Sequence, residues 1–144
     1  MLICWLNLRK KARISEPDTF INEFDEFKFK TDTINSMKNP LFASAKCMMC
    51  VESNEVIARL DFVMLPSYAF GGDLRSYVDW VYVLKEHRHK GIAQFLFKEM
   101  ELYLQSQGAK EYFLIAAENE EAQRFYNGIQ GVEIAKQDVL TKAL

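Results

Sequence analysis

With 144 residues, the chain has the length of one domain and enough side chains to enclose a core. Hydrophobic residues make up 49% and charged residues 26%, an ordinary globular balance that excludes a disordered or collagen-like chain. The net charge of −2 offers no general attraction to nucleic acid, and no apolar stretch approaches the ~20 residues of a membrane-spanning helix.

Met1 to Leu8 is apolar, and the chain then turns basic at Arg9, Lys10, Lys11 and Arg13. A secretory leader runs in the opposite order, so the segment reads as a first strand with a solvated basic end, and the protein as cytoplasmic. Cys4, Cys47 and Cys50 form an odd set without an export signal, which predicts free thiols. Ser15 is placed to cap a helix, with Phe20, Ile21, Phe24, Phe27 and Phe29 recurring near helical spacing through residue 29. Its acids Glu16, Asp18, Glu23, Asp25 and Glu26 read as a solvated face, with attraction of a cationic acceptor as the alternative. A second short helix is expected over 33–38, stopping before Pro40.

Residues 44–52 read as a strand, Ser53-Asn54 as a tight turn and 55–65 as the returning strand. Cys47 and Cys50 match C-x-x-C, but an offset of three puts their side chains on opposite strand faces, so no zinc site with His87 and His89 is expected. A loop over 66–74 leads to a strand over 75–84, rich in β-branched and aromatic residues. A long helix follows over 91–107, with Ile92, Phe95, Leu96, Met100 and Tyr103 on its apolar face and Gly108 at its end. The apolar run 111–117 predicts a strand buried on both sides. Asn119 caps a helix ending at Gly128, and two short strands are expected over 131–144. These elements make one domain over 1–144 of α+β class: a mixed, largely antiparallel sheet of six to seven strands with about four helices on its faces.

The segment from Val81 to Ala93 carries the chemistry. A strand runs into a turn that opens a long helix, whose first N–H groups are unpaired and whose dipole favours an anion. Gly91 and Ala93 are small, so a phosphate can approach the backbone, and Arg88 and Lys90 add charge. The plain alternative is a strand–turn–helix with a solvated basic turn. Neither G-x-x-x-x-G-K-[ST] nor G-x-G-x-x-G occurs in the chain.

Arg88-His89-Lys90-Gly91-Ile92-Ala93 resembles the [RQ]-x-x-G-x-[GA] coenzyme A loop of the GNAT family of N-acetyltransferases. Val81-Tyr82-Val83 is similar to that family's strand facing pantetheine. The run from Ala117 to Val132, with Asn119, Ala122, Phe125, Tyr126 and Gly131, is similar to its A-x-N-x-x-A-x-x-[FL]-Y-x-x-x-G-F segment. The likeness spans roughly 77–132. Val132 stands where an aromatic residue is usual, and Leu114, Ile115 and Ala116 offer no glutamate where some members carry a catalytic one.

The resemblance implies transfer of acetyl from acetyl-coenzyme A to a primary amine by direct attack, without metal. The sheet would splay around Val83 and Ala117. The diphosphate would lie on residues 88–93, pantetheine along Val81 and Val83, and a backbone N–H near Val83 would face the thioester oxygen. Tyr126 is the implied general acid, against a plain reading as a core aromatic. Asn119 is an N-cap with an implied pantetheine contact. Asp79 is the candidate base, on the strand face of Val83, or else a solvated carboxylate. The acceptor is a small-molecule or peptide amine, without nucleic acid or membrane, and the enzyme a monomer or homodimer. A non-catalytic acyl-coenzyme A-binding or regulatory module is the alternative.

Overall fold

The computed structural model describes residues 2–20, 22–68, 71–135 and 139–143. Among the described residues the architecture is α+β: four α-helices and a mixed sheet of four strands. The first helix, α1 (Leu2–Ser15), is followed by α2 (Glu26–Lys38), β1 (Ala45–Glu52), β2 (Glu55–Ser67) and β3 (Asp73–Val83). Then come α3 (Ile92–Ser106), β4 (Glu111–Leu114) and α4 (Glu120–Asn127). The sheet order is β1-β2-β3-β4, antiparallel except for the parallel β3–β4 pair. Among the described residues no helix is long and apolar enough to cross a membrane.

The sheet is therefore smaller than the six to seven strands expected. Residues 2–8 are helical because Arg9 to Arg13 are good helix formers continuous with them, and Cys4, Leu8 and Ala12 repeat at i, i+4 on the face that meets the sheet. The basic run thus belongs to a helix. Ser15 ends α1 where it was expected to cap a following helix, because Pro17 disfavours helical geometry in the residue before it. Its hydroxyl donates back to the Ala12 carbonyl at 3.2 Å. The next helix starts at Asp25, whose carboxylate accepts the Lys28 N–H at 2.9 Å, and it runs through to Lys38 before Pro40. Ile21, assigned to the expected helix, lies outside the described residues.

β4 stops at Leu114 and is half-exposed, with Phe113 47% accessible, because it is an edge strand. No strand follows among the described residues; residues 136–138 and Leu144 of the two expected final strands lie outside them. The β1–β2 hairpin turns at Ser53 and Asn54, with φ of 49° and 65°, as expected for a tight two-residue turn.

Two apolar cores flank the sheet. On one face α3 buries Leu96, Phe97, Met100 and Leu104 against Ala58, Leu60, Phe62 and Val78. Each such side chain contributes about 1.5–3 kcal/mol on burial. Phe97 takes the buried position, while Phe95, expected on this face, is 54% exposed. On the other face Leu8 and Ala12 of α1 cover Val56, Ile57, Tyr82 and Leu84.

One irregularity matters for function. Asp61 pairs with Trp80 and Phe62 pairs with Val78, so Asp79 is an extra residue in β3, a bulge. Before the bulge Leu74 and Val78 face α3; after it Val81 and Val83 do, while Trp80 and Tyr82 face α1.

Candidate active site

The β3–β4 pairing ends at Val78 and Leu114, directly beside the bulge. Beyond that point the β3 edge from Asp79 to Val83 has no strand partner on that side among the described residues. Leu84 donates its N–H to the Ile57 carbonyl of β2 at 2.9 Å. Backbone groups alternate along a strand, so those of Val83 and Val81 face the open edge.

From Val83 the chain makes a 3₁₀ turn over Lys85–His87 and enters α3 through Gly91, at φ 79°. That left-handed conformation suits glycine, and nothing lies within 4 Å of where a Cβ would project. Gly91 supplies no side-chain cap, and the first helical bond runs from the Phe95 N–H to the Gly91 carbonyl. The N–H groups of Ile92, Ala93 and Gln94 therefore have no acceptor within the helix. His89, at φ 59°, and Lys90 are exposed beside them.

Arg88 does something else. Its Nε donates to the Val83 carbonyl at 3.1 Å, and its terminal nitrogens reach Glu16 at 2.6 Å and Glu121 at 3.1 Å. The guanidinium thus ties the end of α1 and the first turn of α4 to the exit of β3. Tyr82 donates its hydroxyl to the same Glu16 carboxylate at 2.5 Å. Burial alone would raise the Glu16 pKa; hydrogen bonds from Arg88 and Tyr82 outweigh it and lower the pKa below its usual range. Burial and the Glu16 bond push Tyr82 up to about 12. Glu16 is a structural anchor rather than part of a solvated face. The signal available in the sequence was its place just before Pro17, where a helix must end.

Asn119 caps α4, its side-chain oxygen accepting the Ala122 N–H at 2.9 Å and leaving its amide NH₂ free of that bond. Tyr126 is half-buried beside Phe125, with ring centroids 5.4 Å apart. It packs on the core that also includes Val81, Val83 and Ile92. Burial raises its pKa, so the phenol holds its proton at neutral pH. The open β3 edge, the bare helix start and Tyr126 thus share the α3 side of the sheet.

Asp79 does not share it. The bulge turns it with Trp80 to the opposite side, where α1 and α2 stand over the sheet and enclose a cleft of about 820 Å³. The expected placement on the face of Val83 is corrected accordingly. Trp5, Phe29 and Trp80 supply aromatic walls, and Arg59 and Asp61 part of the floor. Arg59 lies 3.8 Å from the Trp5 ring centroid, with its Nε 2.8 Å from Asp61. Burial raises the Asp61 pKa, against the pull of Arg59. This cleft went unread in the sequence, although charges at Arg59 and Asp61 between buried Ala58, Leu60 and Phe62 marked a polar face on an otherwise apolar strand.

Cys47 lines the cleft, whereas Cys50 packs on the α3-side core as well as near α1; all three cysteines are free thiols. Among the described residues no group of three or more His, Cys, Asp or Glu is placed to hold a metal.

Residues 10–131 match the model of the Acetyltransferase (GNAT) family. No curated relative matches the sequence. Among solved structures, an aminoglycoside acetyltransferase from an uncultured soil metagenomic sample, in complex with sisomicin, superposes with a TM-score of 0.80 at 13% identity, covering 99% of this chain and 90% of that one. Aminoglycoside 6'-N-acetyltransferase from Acinetobacter haemolyticus gives 0.70 at 20% identity, covering 99% and 92%. A ribosomal-protein-alanine N-acetyltransferase from Brucella melitensis gives 0.60 at 22% identity, covering 69% and 74%. At these identities the likeness is one of fold.

Proposed function

The chain belongs to the acetyltransferase (GNAT) family of acyltransferase enzymes, and from that premise we propose that it transfers an acetyl group from acetyl-coenzyme A to the primary amine of a small molecule or peptide. The observation that carries this reading is the continuity of the open β3 edge at Val81 and Val83 with the uncapped start of α3 behind Gly91. An extended amide chain fits the first and a diphosphate the second. Open space at Gly91 leaves room for that approach.

Acetyl-coenzyme A supplies an activated acyl carbon and a thiolate leaving group. The N–H groups of Ile92, Ala93 and Gln94 hold the diphosphate, with Lys90 adding charge and Asn119 offering its amide to the pantetheine arm. The Val83 N–H faces the thioester oxygen and stabilises charge developing there. In the transfer the amine nitrogen forms a bond to the acyl carbon and the carbon–sulfur bond breaks. Asp79 receives the proton from nitrogen, directly or through water, from the cleft side of β3. Tyr126 gives its proton to sulfur from the other side and is restored from solvent. Thiol release from acetyl-coenzyme A across a panel of amines tests the reading. Binding of acetyl-coenzyme A without amine-dependent release would instead identify a non-catalytic acyl-coenzyme A-binding module.

A further inference from the structure

The cleft over β2 and β3 is lined by three acids and three bases, and three of these six are in ion pairs. Arg59 pairs with Asp61, Asp32 with Lys28, and Lys46 donates to the Ala43 carbonyl at 2.8 Å. Lys46 is met only by that neutral oxygen, and two further lining groups have neither an ion pair nor a side-chain hydrogen bond among the described residues. Asp79 makes no ion pair among the described residues, and neither does Arg9. The Arg9 Nε is buried with no hydrogen-bond partner. Its guanidinium carbon sits 5.3 Å from the Phe29 ring centroid and 5.9 Å from that of Trp80, the neighbour of Asp79. Burial, with Arg13 and Arg59 nearby, lowers its pKa from the usual arginine value. The guanidinium is half-buried, and its shielded Nε lacks an acceptor that the carboxylate of a ligand could supply.

We propose that the acceptor is a small zwitterion: an amine that Asp79 receives, joined through an apolar or aromatic body to a carboxylate that pairs with Arg9. This rests on the acetyl-transfer reading and names its substrate class. These two groups have opposite sign, and the cleft they line is walled by Trp5, Phe29 and Trp80. An aminoglycoside, with several ammonium groups and no anion, would leave Arg9 unpaired and bring further cations towards it. A carboxylate satisfies the guanidinium bidentately, and the aromatic walls suit a flat or branched apolar body.

The probes are L-phenylalanine and 4-(aminomethyl)benzoate, which hold amine and carboxylate at different spans. Each is compared with its primary carboxamide and with sisomicin. We expect at least one carboxylate to exceed its amide in kcat/KM by roughly tenfold or more, the scale of one charge-assisted hydrogen bond. The difference should lie mainly in KM. For L-phenylalanine the comparison is stringent, since the amine of the amide is less basic and more often deprotonated. Arg9→Met should erase the preference, and Arg9→Lys should restore part of it. Equal or better turnover of the amides or sisomicin would overturn the proposal, as would an Arg9→Met variant that keeps the preference. Should no amine release thiol, the acetyl-transfer reading fails by itself. The binding arm then decides the acceptor class: a carboxylate probe must raise the Tm of the wild type and not of Arg9→Met, and no such shift overturns the proposal.

Discussion

A terminal nitrogen of Arg88 lies 2.6 Å from the Glu16 carboxylate, joining residues 72 positions apart. Because Arg88 also holds the Val83 carbonyl and Glu121, this one contact helps set where β3 ends and α3 begins. Glu16→Gln should lower stability by about 1–2 kcal/mol, a charge-assisted bond partly shielded from water. The depressed Glu16 pKa favours folding above the carboxyl's unfolded value and loses that advantage as pH falls through the folded one. Denaturation curves at neutral and acid pH should therefore converge for wild type and variant towards the acid end. The raised Tyr82 pKa acts in the opposite direction: its contribution is complete below pH 10 and is lost as pH rises through about 12.

The proposed diphosphate cradle is tested at Gly91. A Cβ there meets no atom within 4 Å, so Gly91→Ala should fold, at a cost of about 1 kcal/mol for the left-handed backbone. The methyl would project into the space proposed for the diphosphate. Calorimetry should show coenzyme A affinity falling at least tenfold beyond what Tm alone explains, and Gly91→Val should lose more.

Tyr126→Phe separates chemistry from packing. The ring stays on Phe125 and the α3-side core, while the proton donor disappears. If the hydroxyl protonates the departing sulfur, kcat under saturating substrates should fall by roughly 10²–10⁴-fold with little change in the denaturation midpoint. Full turnover would return Tyr126 to the role of a core aromatic.

Removing Asp79 altogether, rather than substituting it, tests the bulge. Without it Val78 would precede Trp80 directly, keeping both in their present register with Phe62 and Asp61 and on their present faces. The shortened strand should therefore fold with nearly wild-type circular dichroism, while losing the kink beside the open edge. Turnover should be abolished in this variant. Asp79→Asn keeps the bulge and should preserve coenzyme A affinity while lowering kcat.

Legibility in the sequence followed local chemistry. The β1–β2 turn, the α3 helix and the Asn119 cap could all be read because each is specified by residues within a few positions of it. Residues 2–8 could not: a short, mostly apolar run carries no decisive period, and only the cluster of Cys4, Trp5 and Leu8 with Val56 and Ile57 shows which of them face inward. The bulge was equally hidden, since Tyr77-Val78-Asp79-Trp80-Val81 reads as a regular strand until β2 supplies the register. Arg9 likewise looked like one charge in a basic run, and its isolation among aromatic rings exists only in three dimensions.

α2 has 13 residues and buries none of them fully. It is held by the Lys10–Glu26 ion pair and by Phe29, whose ring centroid lies 4.6 Å from that of Trp5. A helix of this length is marginal alone, so its amides should exchange with solvent by local opening, well before those of α3, which unlock only with the core. The two sides of the sheet consequently differ in rigidity. On the side proposed for the coenzyme α3 should open only with the core, whereas α2 over the opposite cleft should open at a fraction of that free energy, admitting and releasing acceptors without loosening α3.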